Sequence, residues 1–366
     1  MAEKALAATL VAPKTFDFRE YDLPEVQPDD GLLRMAAVGI CGADIGTYQR
    51  DVPKPRIIGH ENVGYISGVG TEAAKNWGVK EGDLVIPEEY IPCMHCKYCY
   101  TGRFRFCNNT DRGFGQIYRH GQTTEDVWPA LWGGFSQYMY LPPNTVMHTV
   151  KNPVSPHILA LYLPLANGIE WVVRYGGASQ GKTVLIQGPG QMGLMNAFAA
   201  KQAGADCVIV TGMTNDKVRL DLAKRLGADF TIDVQTEDFN ERVREITGTD
   251  GVDVVVNVAA GSKTTVAESI EVASKECTIV LAGAGDQPIS MGVAGSRKRR
   301  DLTVKIANGH SYSSVAESIE FLTSGKHPEL EEISTHQFPL EQARHALDTA
   351  AGDGEPGAIH VTITTA

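Results

Sequence analysis

The stretch Thr183 to Gly193, TVLIQGPGQMG, constrains this chain more than any other part of it. It reads as a short buried strand, Val184, Leu185 and Ile186, running into a tight glycine turn and then an apolar helix over Leu194–Gln202. GPGQMG fits the spacing G-x-G-x-x-G, and each glycine has its own physical task. Gly188 makes the turn, Gly190 lets backbone approach a pyrophosphate, and Gly193 lets the helix lie close on the strand. Gln191 and Met192 complete the turn, where free N–H groups and the positive end of the helix dipole suit phosphates. A glycine turn can also simply end a strand. Here it lies between a β-branched strand and a helix, with a second strand, Cys207–Thr211, after it, and that context points to dinucleotide binding.

From about residue 166 strands and helices alternate. The strands are Val184–Gln187, Cys207–Thr211, Phe230–Asp233, Val252–Val258 and Thr278–Leu281; the helices are 191–202, Asp216–Leu226, Thr236–Thr247 and Thr264–Val272. That rhythm predicts a parallel, doubly wound sheet of the α/β class. Residues 1–90 have a different texture. Lys4–Val11, Gly31–Val38, Val63–Val69 and Asp83–Ile86 read as strands separated by polar turns, with a short helix opening at Cys41–Asp44. Phe135–Leu141 resumes as a strand. After Leu302–Ala307 come a helix over Ser314–Ser324 and a β-rich tail ending in Ile359–Thr364. The predicted plan is a β-rich domain over 1–165, a nucleotide domain over 166–308, and a return to the first domain over 309–366.

A formal charge of −11 argues against a nucleic-acid surface. The one dense basic cluster, Arg297 to Arg300, is too short for such a footprint and reads as a solvated turn. No apolar run reaches the ~18 residues of a membrane span, and MAEKALAATLVAP lacks a signal-peptide core. The chain has seven cysteines, and four of them fall within fifteen residues, 93–107. Without an export signal that crowding reads as metal binding in a reducing, cytoplasmic setting.

The spacing Cys93-x2-Cys96-x2-Cys99-x7-Cys107 offers four thiolates that close a tetrahedral zinc shell with no open position, a structural site. Two disulfides and an iron–sulfur cluster are the alternatives; His95 is expected to be exposed. Cys41, His60 and Glu61 form a second, different constellation. A thiolate, an imidazole and a carboxylate give zinc three ligands and leave a fourth position for water or a substrate oxygen. Asp44 follows closely enough to accept a hydrogen bond from His60. Cys207 and Cys277 sit in strand-like apolar runs and read as core.

GHENVGYISGVG (59–70), VGICGAD (38–44), the four-cysteine lobe, GPGQMG and the tail HQFPLEQARHALDTA (336–350) together resemble the zinc-dependent medium-chain dehydrogenase/reductase family, the alcohol and polyol dehydrogenases. The resemblance covers essentially the whole chain in order. It implies a GroES-like catalytic domain split around an inserted Rossmann domain, a cleft between them, and hydride transfer between a zinc-bound alcohol and NAD(P). It implies that Cys41, His60 and Glu61 hold the catalytic zinc, with Asp44 behind His60. It implies that Cys93, Cys96, Cys99 and Cys107 hold the structural zinc. Gly188, Gly190, Gln191, Met192 and Gly193 would meet the pyrophosphate, and Val258, Ala259 and Gly283 would lie at the binding edge. Asn167 would lie near the nicotinamide. A homodimer or homotetramer follows from the same resemblance.

Three departures from the family pattern stand out. Ala43 replaces the Ser or Thr that passes on the alcohol proton, and Gly46 replaces a frequent His, so Thr47 or ordered water must serve. Leu163 stands where relatives place a further Glu or Cys beside the metal, which leaves Cys41, His60 and Glu61 as the ligands. Gly212 stands where NAD-binding relatives carry Asp, which favours NADP, although Met213 and Thr214 stand where an Arg would meet the 2′-phosphate. Lys217 is expected to meet the ribose or a phosphate. Phe114, Tyr118, Trp128 and Trp132 are expected either to wall an apolar pocket or to sit at a subunit contact. The expected activity is oxidation of a secondary alcohol or polyol. The alternatives are a metal-independent NADPH-dependent reductase of ketones or double bonds, and a non-catalytic nucleotide-binding protein.

Overall fold

The computed structural model describes residues 3–110, 117–152, 154–283 and 300–365. Phe114 and Arg297 to Arg299 lie outside the described residues. The chain divides into two compact units: Met1–Leu163 together with Ser311–Ala366, and Pro164–His310.

The strands of the first unit are β1 (Lys4–Ala12), β2 (Thr15–Asp22), β3 (Gly31–Gly39), β4 (Arg56–Ile57), β5 (Glu61–Val69), β6 (Leu84–Pro87), β7 (Tyr138–Leu141) and β8 (Met147–Thr149). The second unit contributes β9 (Thr183–Gln187), β10 (Cys207–Gly212), β11 (Phe230–Asp233), β12 (Val252–Asn257), β13 (Ala273–Leu281) and β14 (Thr303–Ile306). The chain then returns to the first unit with β15 (Ser334–Pro339) and β16 (His360–Thr364).

In the first unit the order β15-β16-β3-β5-β6-β8 forms the main sheet, with β7 also on β3, and β2-β1-β4 forms a second sheet. β3 is the spine: Leu33, Met35 and Val38 are buried in one core with Phe135, Met139 and Ile363. β16 lies antiparallel to β3, so the last strand of the chain completes a sheet begun near its start. Several elements went unread in the sequence, among them the helix Ala343–Ala351 within the expected β-rich tail and the two that follow. β2, TFDFREYD, is a charged, half-exposed edge strand paired with β1 from Lys4↔Asp22 to Ala12↔Thr15, and its polarity made it look like turn. A short helix, Thr71–Trp77, ends at Gly78, whose φ of 67° is the left-handed conformation that glycine tolerates. The strand expected from Phe135 begins only at Tyr138, because Phe135 and Ser136 bridge instead to Ala8 and Ala7 of β1.

In the second unit the order β11-β10-β9-β12-β13-β14 is parallel throughout. The chain winds outward from β9 in both directions, so the strand order reverses between β9 and β12, the position where ligands bind in sheets of this kind. The helix expected from Thr236 starts at Phe239, because Asp238 caps it by accepting the Glu241 N–H at 2.8 Å. Cys277 is in the core as expected, whereas Cys207, the first residue of β10, is only half-buried. Arg300 ties its guanidinium to the Ile270 and Glu271 carbonyls.

A Cβ on Gly193 would collide with the Gly188 carbonyl oxygen, so the start of helix Gln191–Gln202 tolerates no side chain there. Gly193→Ala should lower the stability of this unit by about 1–3 kcal/mol, read as a fall in the urea midpoint. His120 is fully buried, with Nδ1 3.2 Å from the Glu88 carbonyl, and burial pushes its pKa from 6.5 down to about 4. The unfolded chain therefore binds the extra proton first. Stability is complete above pH 6.5 and falls as pH drops toward 4, by on the order of 3 kcal/mol. Urea midpoints measured from pH 7.5 to 4.5 should show that slope, and His120→Gln should lose it.

Candidate metal and cofactor sites

Asp44 organises the first site. It lies in the first turn of helix Gly42–Gln49, has no exposure, and accepts from three donors. Its Oδ2 takes the Cys41 N–H at 3.1 Å; its Oδ1 takes the Gly59 N–H at 3.3 Å and lies 3.1 Å from His60 Nδ1. With Nδ1 donating to a carboxylate, His60 Nε2 is left as its ligand atom. Ligand atoms from Cys41, His60 and Glu61 then lie within 4.8 Å of one another, the last two residues buried. Burial alone would push the His60 imidazole down; Asp44 and Glu89 reverse this and hold its pKa above the ordinary value. Burial raises the Cys41 thiol. Glu61 Oε2 is 3.1 Å from His360 Nε2, while its Oε1 is buried with no hydrogen-bond partner. Thr47, expected to carry a proton, spends its hydroxyl on the Ala43 carbonyl at 2.9 Å.

The four lobe cysteines also bring their sulfurs within 4.8 Å of one another. Two short 3-10 turns, Cys99–Thr101 and Phe104–Phe106, fold the lobe so that sequence spacing becomes spatial convergence. Cys96 Sγ lies 3.5 Å from Cys99 Sγ, and all seven cysteines are free thiols. The Cys96 thiol is lowered, first by the Cys99 backbone N–H. His95 is exposed and bonded to the Cys93 carbonyl.

In the second unit Gly188 has φ 102°, and a Cβ there would lie 3.0 Å from Ala259 Cα. A Cβ on Gly283 would lie 2.6 Å from the Val258 carbonyl carbon, so the turn, Val258–Ala259 and Gly283 meet at one sheet edge. Gly190 faces open space, as a turn receiving a phosphate requires. Gly212 ends β10 against Pro189, and Thr214 bonds to Asp233 at 2.8 Å. Lys217 is 80% exposed and paired with Asp221 at 3.0 Å, one turn along its own helix, rather than directed at the glycine turn. Asn167 is buried with its Oδ1 unpartnered.

Residues 27–151 match the alcohol dehydrogenase GroES-like domain, and residues 192–324 match the zinc-binding dehydrogenase domain. A probable alcohol dehydrogenase of Mycobacterium tuberculosis is 35% identical over the full length of both chains. The erythritol/L-threitol dehydrogenase of Mycolicibacterium smegmatis is 29% identical over 96% of each. A crystal structure from Sinorhizobium meliloti, a candidate zinc-binding dehydrogenase bound to NADP, superposes with a TM-score of 0.83 at 25% identity over 99% of each chain. The chain belongs to the zinc-dependent medium-chain dehydrogenase/reductase family. It is an NAD(P)-dependent oxidoreductase of the alcohol dehydrogenase class.

Sequence reasoning missed several residues of this dehydrogenase. His360 reaches Glu61 from the far end of the chain. Glu89, beside the lobe, is buried in an ion pair with Arg119, Oε2 lying 2.7 Å from Nε. Glu88 is buried against His148 at 2.9 Å. Charged residues in a run such as PEEY carry no local sign that they turn inward. Tyr118, Trp128 and Trp132, with Tyr140 and Pro142, line an open cavity of about 450 Å³. No helix among the described residues is long and apolar enough to cross a membrane.

Removing the Asp44 carboxylate strands two backbone N–H groups, Cys41 and Gly59, in the interior. Asp44→Ala should therefore cost on the order of 3 kcal/mol of folding stability. Asp44→Asn, which keeps one carbonyl acceptor, should cost less; equilibrium urea unfolding of both variants checks this.

Proposed function

We propose a zinc-dependent dehydrogenase that interconverts a secondary alcohol or polyol and its ketone, using NADP in preference to NAD. The observation that carries this is the Cys41, His60 and Glu61 set, three ligand types for a borderline metal converging within 4.8 Å over the Asp44 carboxylate. Glu61 Oε1 supplies the test of fit: a buried carboxylate oxygen without a donor is costly unless a cation meets it. Cys41, His60 and Glu61 would hold a zinc ion there, which would supply Lewis-acid activation of an alcohol hydroxyl.

The chain's own residues divide the remaining work. Asp44 keeps the proton on His60 Nδ1 and fixes the ring, so that Nε2 stays available. Ala43 offers no hydroxyl and Thr47 is already bonded, so the alcohol proton leaves through water. Leu163 is buried and apolar and adds no ligand, which gives Glu61 a permanent place in the set. Cys93, Cys96, Cys99 and Cys107 would hold a second, structural zinc. In the other unit, Gly188, Gly190, Gln191, Met192 and Gly193 would take the pyrophosphate. Val258, Ala259 and Gly283 would border the cofactor, and the unpartnered Asn167 oxygen would accept from the nicotinamide carboxamide.

The NADP preference is supported by Gly212, where no carboxylate repels a 2′-phosphate, and by the NADP bound in the Sinorhizobium relative. Thr214 and Lys217 are the neighbouring polar groups. The polyol reading is supported by the Mycolicibacterium relative. Free thiols suit a cytoplasmic location. A homodimer or homotetramer is part of the same reading, with exposed Trp128 as a candidate contact.

Elemental analysis of protein purified without chelator should give two zinc ions per subunit. Cys41→Ser should keep one and lose at least about a hundredfold in kcat/KM on an alcohol panel, with NADP+ the better oxidant. A single zinc that survives Cys41→Ser and disappears when the 93–107 lobe is mutated would overturn the proposal in favour of a metal-independent reductase.

A further inference from the structure

The contact between Glu61 and His360 joins residues 299 positions apart. Glu61 opens β5 and His360 opens β16, and β3 runs between these strands. Gly39 of β3 stands opposite Glu61 on one side and Thr362 on the other. The pair therefore closes over a residue with no side chain. A Cβ on Gly39 would collide with Glu61 Oε2 and come within 2.7 Å of His360 Nε2.

Both side chains are wholly buried, and β16 is already held to β3 by its backbone ladder. A buried polar pair is costly to desolvate and is weak evidence of stabilisation, so its presence here calls for another role. The carboxylate can only accept, so His360 Nε2 carries the proton and donates it to Oε2 at 3.1 Å. Nδ1 is then an acceptor, and the Thr362 hydroxyl, 3.3 Å away, donates to it. The Glu61 carboxylate thus selects the tautomer, Thr362 holds the far side of the ring, and His360 fixes one carboxylate oxygen. The other, Oε1, is buried and unpartnered. A carboxylate engaged through one oxygen and bare at the other is prepared to bind a cation through a single atom.

We propose that His360 is a positioning residue for the metal site, holding Glu61 through Oε2 so that Oε1 is a permanent ligand. This rests on the reading of Cys41, His60 and Glu61 as a zinc site. It gives the C-terminal strand a task in metal retention, and it explains why β3 carries glycine at position 39.

The test is zinc content of the full-length protein and its rate of loss to EDTA, with the four-cysteine ion as internal reference. His360→Leu fills the space without a donor, and His360→Gln restores a side-chain N–H. The Leu variant should release the ion outside the lobe about 10–100-fold faster than wild type. The Gln variant should recover most of that difference, and the lobe ion should be unaffected in all three proteins. Equal loss in both variants, or wild-type retention in the Leu variant, overturns the positioning role while leaving the zinc site standing. A wild-type protein with only the lobe ion removes the zinc site itself, and the positioning role with it. Should His360→Leu fail to fold, Thr362→Val leaves the imidazole in place and should speed release about fivefold, the equivalent of one lost hydrogen bond; unchanged release in that variant overturns the proposal.

Discussion

One carboxylate, that of Asp44, joins the parts of the first unit that must come together around the candidate metal site. It takes the N–H at the start of one helix, the N–H before β5, and the imidazole of His60. Cys41 and His60 are far apart in sequence, and neither is held by a regular ladder at its own position. Asp44 supplies the missing connection. Its burial would be unfavourable if it had fewer donors, and three donors make it stable there. Removing it would lose the ring orientation and the placement of two loops together, which is why its role cannot be reduced to a single hydrogen bond.

Glycine supports the same region by absence of volume. A Cβ on Gly121 would lie 2.8 Å from the Gly59 carbonyl oxygen, so the segment after the cysteine lobe lies backbone to backbone against the turn that carries His60. Gly39 makes room of another kind, since a Cβ there would meet the side chains of Glu61 and His360. Gly121, at φ 75°, also makes a turn, whereas Gly39 lies within β3; at both positions a side chain would find no room. The aromatic residues of the loop, Trp128 and Trp132, pack against Tyr140 at 5.5 Å and stiffen the far side of that segment.

What the sequence made legible was local in character. The glycine turn and the four cysteines are short motifs whose chemistry follows from spacing, while CGAD with GHE gained its meaning from the family resemblance; the ligand atoms of both cysteine-containing groups converge. The parallel sheet was legible too, because buried parallel strands read as apolar runs alternating with helices. β2 was missed because an edge strand with one face in water alternates charged and aromatic residues and resembles a turn. Glu88, Glu89, His148, Arg119 and His360 were missed for a different reason. Their inward orientation depends on partners supplied by distant segments, and a charged residue looks the same in sequence whether it is solvated or paired. Lys217, chosen for its proximity to the end of β10, pairs with Asp221 of its own helix in the structure.

The departures from the family pattern gain a common physical sense in the structure. With Leu163 buried and offering no donor atom, a metal at Cys41, His60 and Glu61 would depend on every one of its ligands. A carboxylate free to swing away would then leave the ion with two protein contacts, too few for a stable open site. Burying Glu61 beneath β16, with one oxygen already taken, restricts that motion without adding a ligand. The constraint is applied from outside the ligand set, by β16, far along the sequence from Glu61. Under the proposed zinc site, loss of one ligand and confinement of another would be two sides of one arrangement, with β3 between β16 and β5 setting the distance from His360 to Glu61.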